Sequence, residues 1–483
     1  MEFPSTCSIL AKRLGLVFVS VILSVQLTAA LPRPSPIEIY NYLDQNLSQG
    51  SDAFLASAGG GNSTQITPRW NVWNPPTYVV YAKPAFDTDV QKIIQYASES
   101  GIPFLGTGGG HGFTSTLGTL DDGIDIDLGF FRGVTVDAEN NRMTIGGGTV
   151  FGDVYDPLYN AGKEIRPYGG LHGLILDALE SVNIVTGSGD IVTASETENS
   201  DLFWGVRGAG HNLGIVTSAT YQVYDLSNGG EALNGDFIFP ASENATIFSI
   251  MKSFEGNQPA ELSIIMSMAY SDEYEDIVIS VTAIYIGPEE EGKSVIQPFI
   301  DSNPLVQNVT MIPWNRLNRE NRFGADEASC VPGINGATYG LNVYDIDVPT
   351  YVEVFGMYAD FYAQNPNLRL ATFFREQFGY SAVRQVPDDN TAYPWRDADA
   401  YLLIFFAWSD PSLEPITEEF GQAIRARMVE LNGERGMQVY VNYARGDEDE
   451  KAWYSDRKLE RLGKLKSTWD PKGLFSYYNP ITI

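Results

Sequence analysis

The chain has 483 residues, 43% of them hydrophobic and 12% aromatic, with 31 basic and 61 acidic side chains for a formal charge of −30. That length exceeds one ordinary core, so two domains or one large composite are expected, and the apolar content is that of a packed globular protein. A surface this acidic repels phosphate backbones and anionic lipid, which argues against nucleic-acid partners and stable membrane association.

The first element is a leader. Lys12 and Arg13 precede an apolar run from Leu14 to Leu27, followed by the small residues Thr28, Ala29 and Ala30. This is the layout of a secretory signal peptide over residues 1–30, and the run is shorter than a bilayer span needs. The sequons at Asn46, Asn62, Asn244 and Asn308 fit a secreted glycoprotein. Cys7 would leave with the leader, so Cys330 is expected alone, without an internal disulfide, as a small buried side chain.

Beyond a polar stretch containing Gly59–Gly61, regular structure is expected from Thr77–Tyr81, a β-rich run. Asp87 can cap a helix to Ser100 in which Val90, Ile93, Ile94 and Ala97 share one stripe; Gly101 and Pro103 stop it. A strand over Ile102–Leu105 completes a strand–helix–strand unit. Short strands follow at Ile124–Leu128, Val134–Asp137, Arg142–Ile145, Val182–Thr186, Ile191–Ala194 and Ile215–Tyr224, with a helix near Val150–Gly162. Composition shifts at Asp225–Gly230, a domain boundary. Residues 231–439 mix strands such as Ile277–Tyr285 and Leu402–Trp408 with helices such as Glu414–Leu431. A strand over Gln438–Tyr443 and a helix burying Leu459, Leu462, Leu465 and Trp469 end the chain.

The run Thr107-Gly108-Gly109-Gly110-His111-Gly112 carries three consecutive glycines, which let backbone N–H groups approach a diphosphate. It is not the nicotinamide fingerprint, because His111 replaces the last glycine and the following residues read as loop. Alone, the run is equally a glycine-rich turn without a ligand. Its company is more specific. Asp125–Leu128, Gly146–Asp153, Asp201–Trp204, Arg207–Thr217, Tyr440–Tyr443, Trp469–Phe475 and Tyr478–Pro480 follow in order.

Together these motifs resemble the berberine-bridge-enzyme-like FAD-linked oxidases, particularly those of filamentous fungi. The resemblance runs from about Pro75 to the C-terminus. It implies an α+β fold: a two-part FAD-binding domain of the vanillyl-alcohol-oxidase (PCMH) type with an inserted α/β substrate domain. The expected division is a segment over 31–73, the flavin domain over 74–228, the substrate domain over 229–439 and a closing segment over 440–483. By the same resemblance His111 would bond the flavin 8α carbon, with Thr107, Gly108, Gly109, Gly110 and Gly112 around it. Gly214, Ile215 and Val216 would lie beside the cofactor and Asn479 near the flavin ring. Tyr443 would be the catalytic base, a tyrosinate of depressed pKa taking a substrate proton as hydride leaves. Tyr440 and Asn442 fall on the opposite face if that strand is regular.

The family pattern breaks once. In relatives a glycine-rich loop, which bears a second flavin-linking cysteine where one exists, stands between the equivalents of Pro167 and Gly169. Here it is missing, so attachment through two residues is excluded. Either a mistaken exon boundary removed the loop, or the loss is genuine and weakens FAD binding. The histidines His111, His172 and His211 lack metal-ligand spacing, His211 reads as structural, and no G-x-S-x-G hydrolase motif occurs.

Three functional readings follow. The first is oxidation of a small metabolite, in fungal secondary metabolism, with O2 as acceptor. The second is oxidation of a sugar at its anomeric hydroxyl, supported by stacking on Trp70, Trp73 and Trp408. The third is a flavin-free binding paralogue.

Overall fold

The structure, a computed structural model, describes residues 33–56, 65–165, 170–325 and 331–482. The expected leader 1–30 and the positions Asn62, Pro167 and Cys330 lie outside the described residues.

Helix Asp87–Ser100 forms where the 3.6-residue period stacks Val90, Ile93, Ile94 and Ala97, all fully buried, on one stripe. It ends at Gly101, whose φ of 64° is the left-handed conformation glycine adopts freely. The residue that caps its start is Phe86, not Asp87. Asp87 is the first helical residue, where its charge still suits the helix N-terminus. The flanking strands Tyr78–Lys83 and Phe104–Thr107 do not touch each other. Gly123–Asp127 lies between them, parallel to both, and Asp52–Leu55 adds an antiparallel edge. The segment before residue 74 is therefore woven into the first lobe.

A second, antiparallel sheet runs in the order Val134–Asp137, Arg142–Gly146, Gly214–Gln222, Leu179–Thr186 and Ile191–Ser195. The turn Ser227–Gly230, with Asn228 and Gly229 at positive φ, leads into the inserted part. There seven antiparallel strands run in the order Val306–Pro313, Glu231–Pro240, Asp276–Tyr285, Leu262–Ser271, Thr372–Phe378, Ala400–Trp408 and Asn335–Val343.

Helices Asn244–Ser253, Glu289–Ile300, Val348–Gln364 and Glu414–Val429 bury their apolar sides on one face of this sheet, in the largest core of the molecule. Strand alternation then fixes what the other face presents. In Thr372–Phe378 the buried Phe373, Arg375 and Gln377 point to one face, leaving Phe374, Glu376 and Phe378 on the other. In Ala400–Trp408, Leu402, Ile404 and Phe406 join the core and Tyr401 takes the opposite face, paired across strands with Glu376.

The chain then returns to the first lobe. Leu462 and Leu465 of helix Asp456–Trp469 pack with Leu202, Phe203 and Trp204 of helix Ser200–Ala209. The wholly buried Lys466 ammonium pairs with Asp470 at 2.7 Å and donates to the carbonyls of Asn212 (2.9 Å) and Phe475 (2.7 Å). A buried ammonium is tolerated because its donors are satisfied.

The expected strand Gln438–Tyr443 does not form. Asn342 N–H donates to the Gln438 carbonyl, and its side-chain oxygen takes the Tyr440 N–H, so this asparagine stands in for a ladder. The chain then turns through a 3₁₀ segment at Val441–Tyr443. Of the sequons, Asn46 and Asn308 are exposed, Asn308 on the edge strand Val306–Pro313, and Asn244 is half-buried at the start of its helix. Among the described residues no helix is long and apolar enough to cross a membrane.

Candidate active site

A cavity of about 970 Å³ is bounded by the glycine-rich loop, the second sheet, the open face of the inserted sheet and the C-terminal tail. That size stands at the upper end of small-molecule sites, about 300–1,000 Å³. Thr107, Gly108, Gly109, Gly110, His111 and Gly112 all line it, as do Gly214, Ile215 and Val216. Ile215 reaches the loop because Gly106 has no side chain: a Cβ there would lie 3.0 Å from Ile215 Cδ1. Among the described residues lining the cavity, Arg69 is the one Lys or Arg and Glu376 the one carboxylate.

The backbone N–H groups of Gly109, Gly110 and His111 donate to no protein acceptor among the described residues. Consecutive free N–H groups on a glycine loop are the donor set a diphosphate needs, so the residues present fit FAD. His111 opens onto the cavity, and partial burial of its ring lowers its pKa, leaving the imidazole neutral at neutral pH. Beneath the loop, Thr107 Oγ1 donates to Asp125, a wholly buried carboxyl that burial pushes up to about 7.

Tyr443 also lines the cavity. Its hydroxyl donates to Glu376 Oε2 at 2.7 Å. The depressed pKa expected of this phenol is not found: burial, then the Glu376 charge, raises it well above the ordinary value. Burial also raises the Glu376 pKa, against the pull of the Tyr443 hydrogen bond. Sequence reasoning missed Glu376. Its signal was a lone acid on the open face of its strand, flanked there by Phe374 and Phe378.

The 3₁₀ turn also corrects the expected placement of Tyr440 and Asn442. Both line the cavity together with Tyr443, because the turn removes strand alternation. Asn442 Nδ2 donates to the Tyr440 hydroxyl, and the Tyr440 and Tyr443 rings meet edge-on at 5.2 Å.

Asn479 does not line the cavity. Its side chain is wholly engaged by protein, taking the Thr114 hydroxyl at 2.7 Å and donating to the Val441 carbonyl at 3.0 Å. It ties the tail to the turn after the glycine loop and to the Tyr443 segment. Trp70, Trp73 and Trp408 are not lining residues either. Trp408 is buried in the inserted core with Trp73 edge-on at 6.1 Å, and Trp70 stacks on His111, so none of these three indoles forms part of the cavity wall. The aromatic wall is instead Phe378, Tyr380, Tyr393 and Tyr401. His211 lines the cavity and bonds the Tyr454 hydroxyl at 2.8 Å; burial and Lys466 bring its pKa to about 4. His172 stacks on Tyr224 outside the cavity, with ring centroids 3.7 Å apart.

Comparison with known proteins agrees with this arrangement. Residues 78–173 match the family described as FAD binding domain, and residues 439–482 match that described as berberine and berberine like. The FAD-linked oxidoreductase srdI of Neurospora crassa is 36% identical over 445 residues, spanning 88% of each chain. The solved structure of Physcomitrella patens BBE-like 1 superimposes with a TM-score of 0.78 at 20% identity, covering 93% of this chain and 99% of that one. A glucooligosaccharide oxidase from Acremonium strictum, described with a 6-S-cysteinyl, 8α-N1-histidyl FAD, gives 0.77 at 18% identity over 93% and 99%. These matches set aside the flavin-free reading. The chain belongs to the berberine-bridge-enzyme-like family and is an FAD-linked oxidoreductase.

Proposed function

We propose that this chain is a secreted oxidase that takes hydride from a carbinol carbon of a small metabolite, in fungal secondary metabolism, with dioxygen as final acceptor and His111 as the flavin tether. The observation that carries this reading is the Tyr443–Glu376 hydrogen bond within a cavity that also holds the glycine loop and His111. FAD, when bound, supplies the two-electron acceptor. The neutral phenol of Tyr443 is poised to take the substrate hydroxyl proton only as it gives its own to Glu376. Tyrosinate then never has to exist free, which suits a phenol whose pKa burial has raised. The aromatic wall keeps water from the reacting carbon and favours a flat substrate. The sugar reading has less support, since its tryptophans lie outside the cavity.

Mixing the purified protein anaerobically with alcohols and sugars, and following loss of flavin colour, tests the reading. Bleaching by an alcohol is the expected result. A colourless preparation would overturn the oxidase reading, and a flavin bleached only by sugars would overturn the substrate class.

A further inference from the structure

The loop that carries His111 is gripped by the segment 68–70. Trp70 N–H donates to the Gly110 carbonyl at 3.1 Å, and Arg69 Nη2 donates to the Gly112 carbonyl at 2.9 Å. These carbonyls belong to the residues on either side of His111. Gly110 adopts φ 72°, and a Cβ there would lie 2.4 Å from the Pro68 carbonyl oxygen, so this close approach requires glycine. The Trp70 indole stacks on the His111 imidazole with centroids 4.6 Å apart and planes inclined by 23°. Trp70 itself does not line the cavity, so the stack leaves the ring's cavity side open. The segment precedes the matched FAD-binding region, which begins at residue 78.

We propose that Trp70 is a positioning residue for flavin attachment: its indole holds the His111 imidazole in the orientation from which a ring nitrogen reaches the flavin 8α carbon. The inference rests on His111 being the tether. An imidazole on a glycine-rich loop has a broad χ2 preference, so its ring plane must be set by what it packs against. Here the backbone clamp fixes the loop and the stack fixes the ring. Attachment replaces one methyl C–H and the imidazole N–H with one N–C bond. The two protons and two electrons released reach dioxygen, which ends as hydrogen peroxide. Such a step depends steeply on the near-attack geometry of the nitrogen, and His111 alone does not supply it.

The test uses the full-length protein with Trp70→Ala, Trp70→Phe and, as control, His111→Ala, each expressed with its flavin. Acid precipitation separates covalent flavin, which stays with the protein, from released flavin. In W70A the acid-stable fraction is expected to fall about tenfold or more while total flavin is retained, because orientation rather than binding is lost. W70F, which keeps a stacking ring, is expected to hold most of the acid-stable fraction. A W70A protein as fully acid-stable as the parent would overturn the proposal. So would loss of total flavin in both Trp70 variants, which would make the residue a support of the loop rather than of the ring. The control separates the two readings: acid-stable flavin in H111A refutes the tether itself, whereas its disappearance there upholds the tether whatever Trp70 does.

Discussion

The Tyr443 hydroxyl and Glu376 Oε2 stand 2.7 Å apart although 67 positions separate the two residues in the chain. One arrives on the closing segment and the other on a strand of the inserted sheet, so the pair exists only once the two parts have docked. Burial raises the pKa of both groups. A phenol alone in such surroundings would be a poor base. Coupled to a carboxylate it can pass its proton on as it accepts another.

Glu376→Gln should therefore slow flavin reduction by about 10²–10⁴-fold, the usual scale of general-base catalysis, with flavin content unchanged. Tyr443→Phe should do the same. The double variant should be little slower than either single one, because residues acting as a unit are not additive. Anaerobic stopped-flow measurement of flavin bleaching checks this, and an additive double variant would show that the two act separately.

The pH profile carries the same signature. The Glu376 carboxyl titrates above the ordinary value of about 4.3, because burial penalises its charge. Its ionised form is the proton acceptor, so the reduction rate should rise with pH through a single ionisation lying above that value, then level off. In E376Q this acid limb should vanish. A limb that persists in E376Q would assign the ionisation to another group.

Asp125 gives a stability prediction. Burial brings its folded-state pKa to about 7, whereas in the unfolded chain an aspartate titrates near 3.9. Between those values the folded state binds the extra proton, so stability is full below the lower value and is lost as pH rises through the upper one. Asp125→Asn keeps an acceptor for the Thr107 hydroxyl without the charge. The variant should gain on the parent between pH 4 and pH 7, by up to roughly 4 kcal/mol at the upper end of that range. Thermal unfolding of the two proteins across that range measures the gap. A gap that stays flat or reverses would place a proton-independent partner on Asp125.

What the sequence made legible was local. Val90, Ile93, Ile94 and Ala97 name their helix because one stripe of 3.6-residue period suffices to bury them. The loop Thr107–Gly112 was visible because its backbone needs glycine at defined positions. The segment Gln438–Tyr443 misled, because its alternation imitates a strand while Asn342 captures its backbone and turns it. Asn479 was recognised as a motif residue, but its engagement with Thr114 and Val441 depends on partners 365 and 38 positions away. The contacts of Glu376 with Tyr443 and of Trp70 with His111 escaped for the same reason. Each joins residues distant in sequence, and no period encodes that.

The cavity wall draws on residues from Arg69 to Tyr478, and Lys466 fastens the last stretch by gripping the carbonyls of Asn212 and Phe475. A ribosome-bound chain that still lacks its final forty or so residues has no closed receptacle for a cofactor, however well its first lobe has folded. The closing segment must therefore be in place before the receptacle is complete, and a chain cut short before Lys466 would be left without the latch.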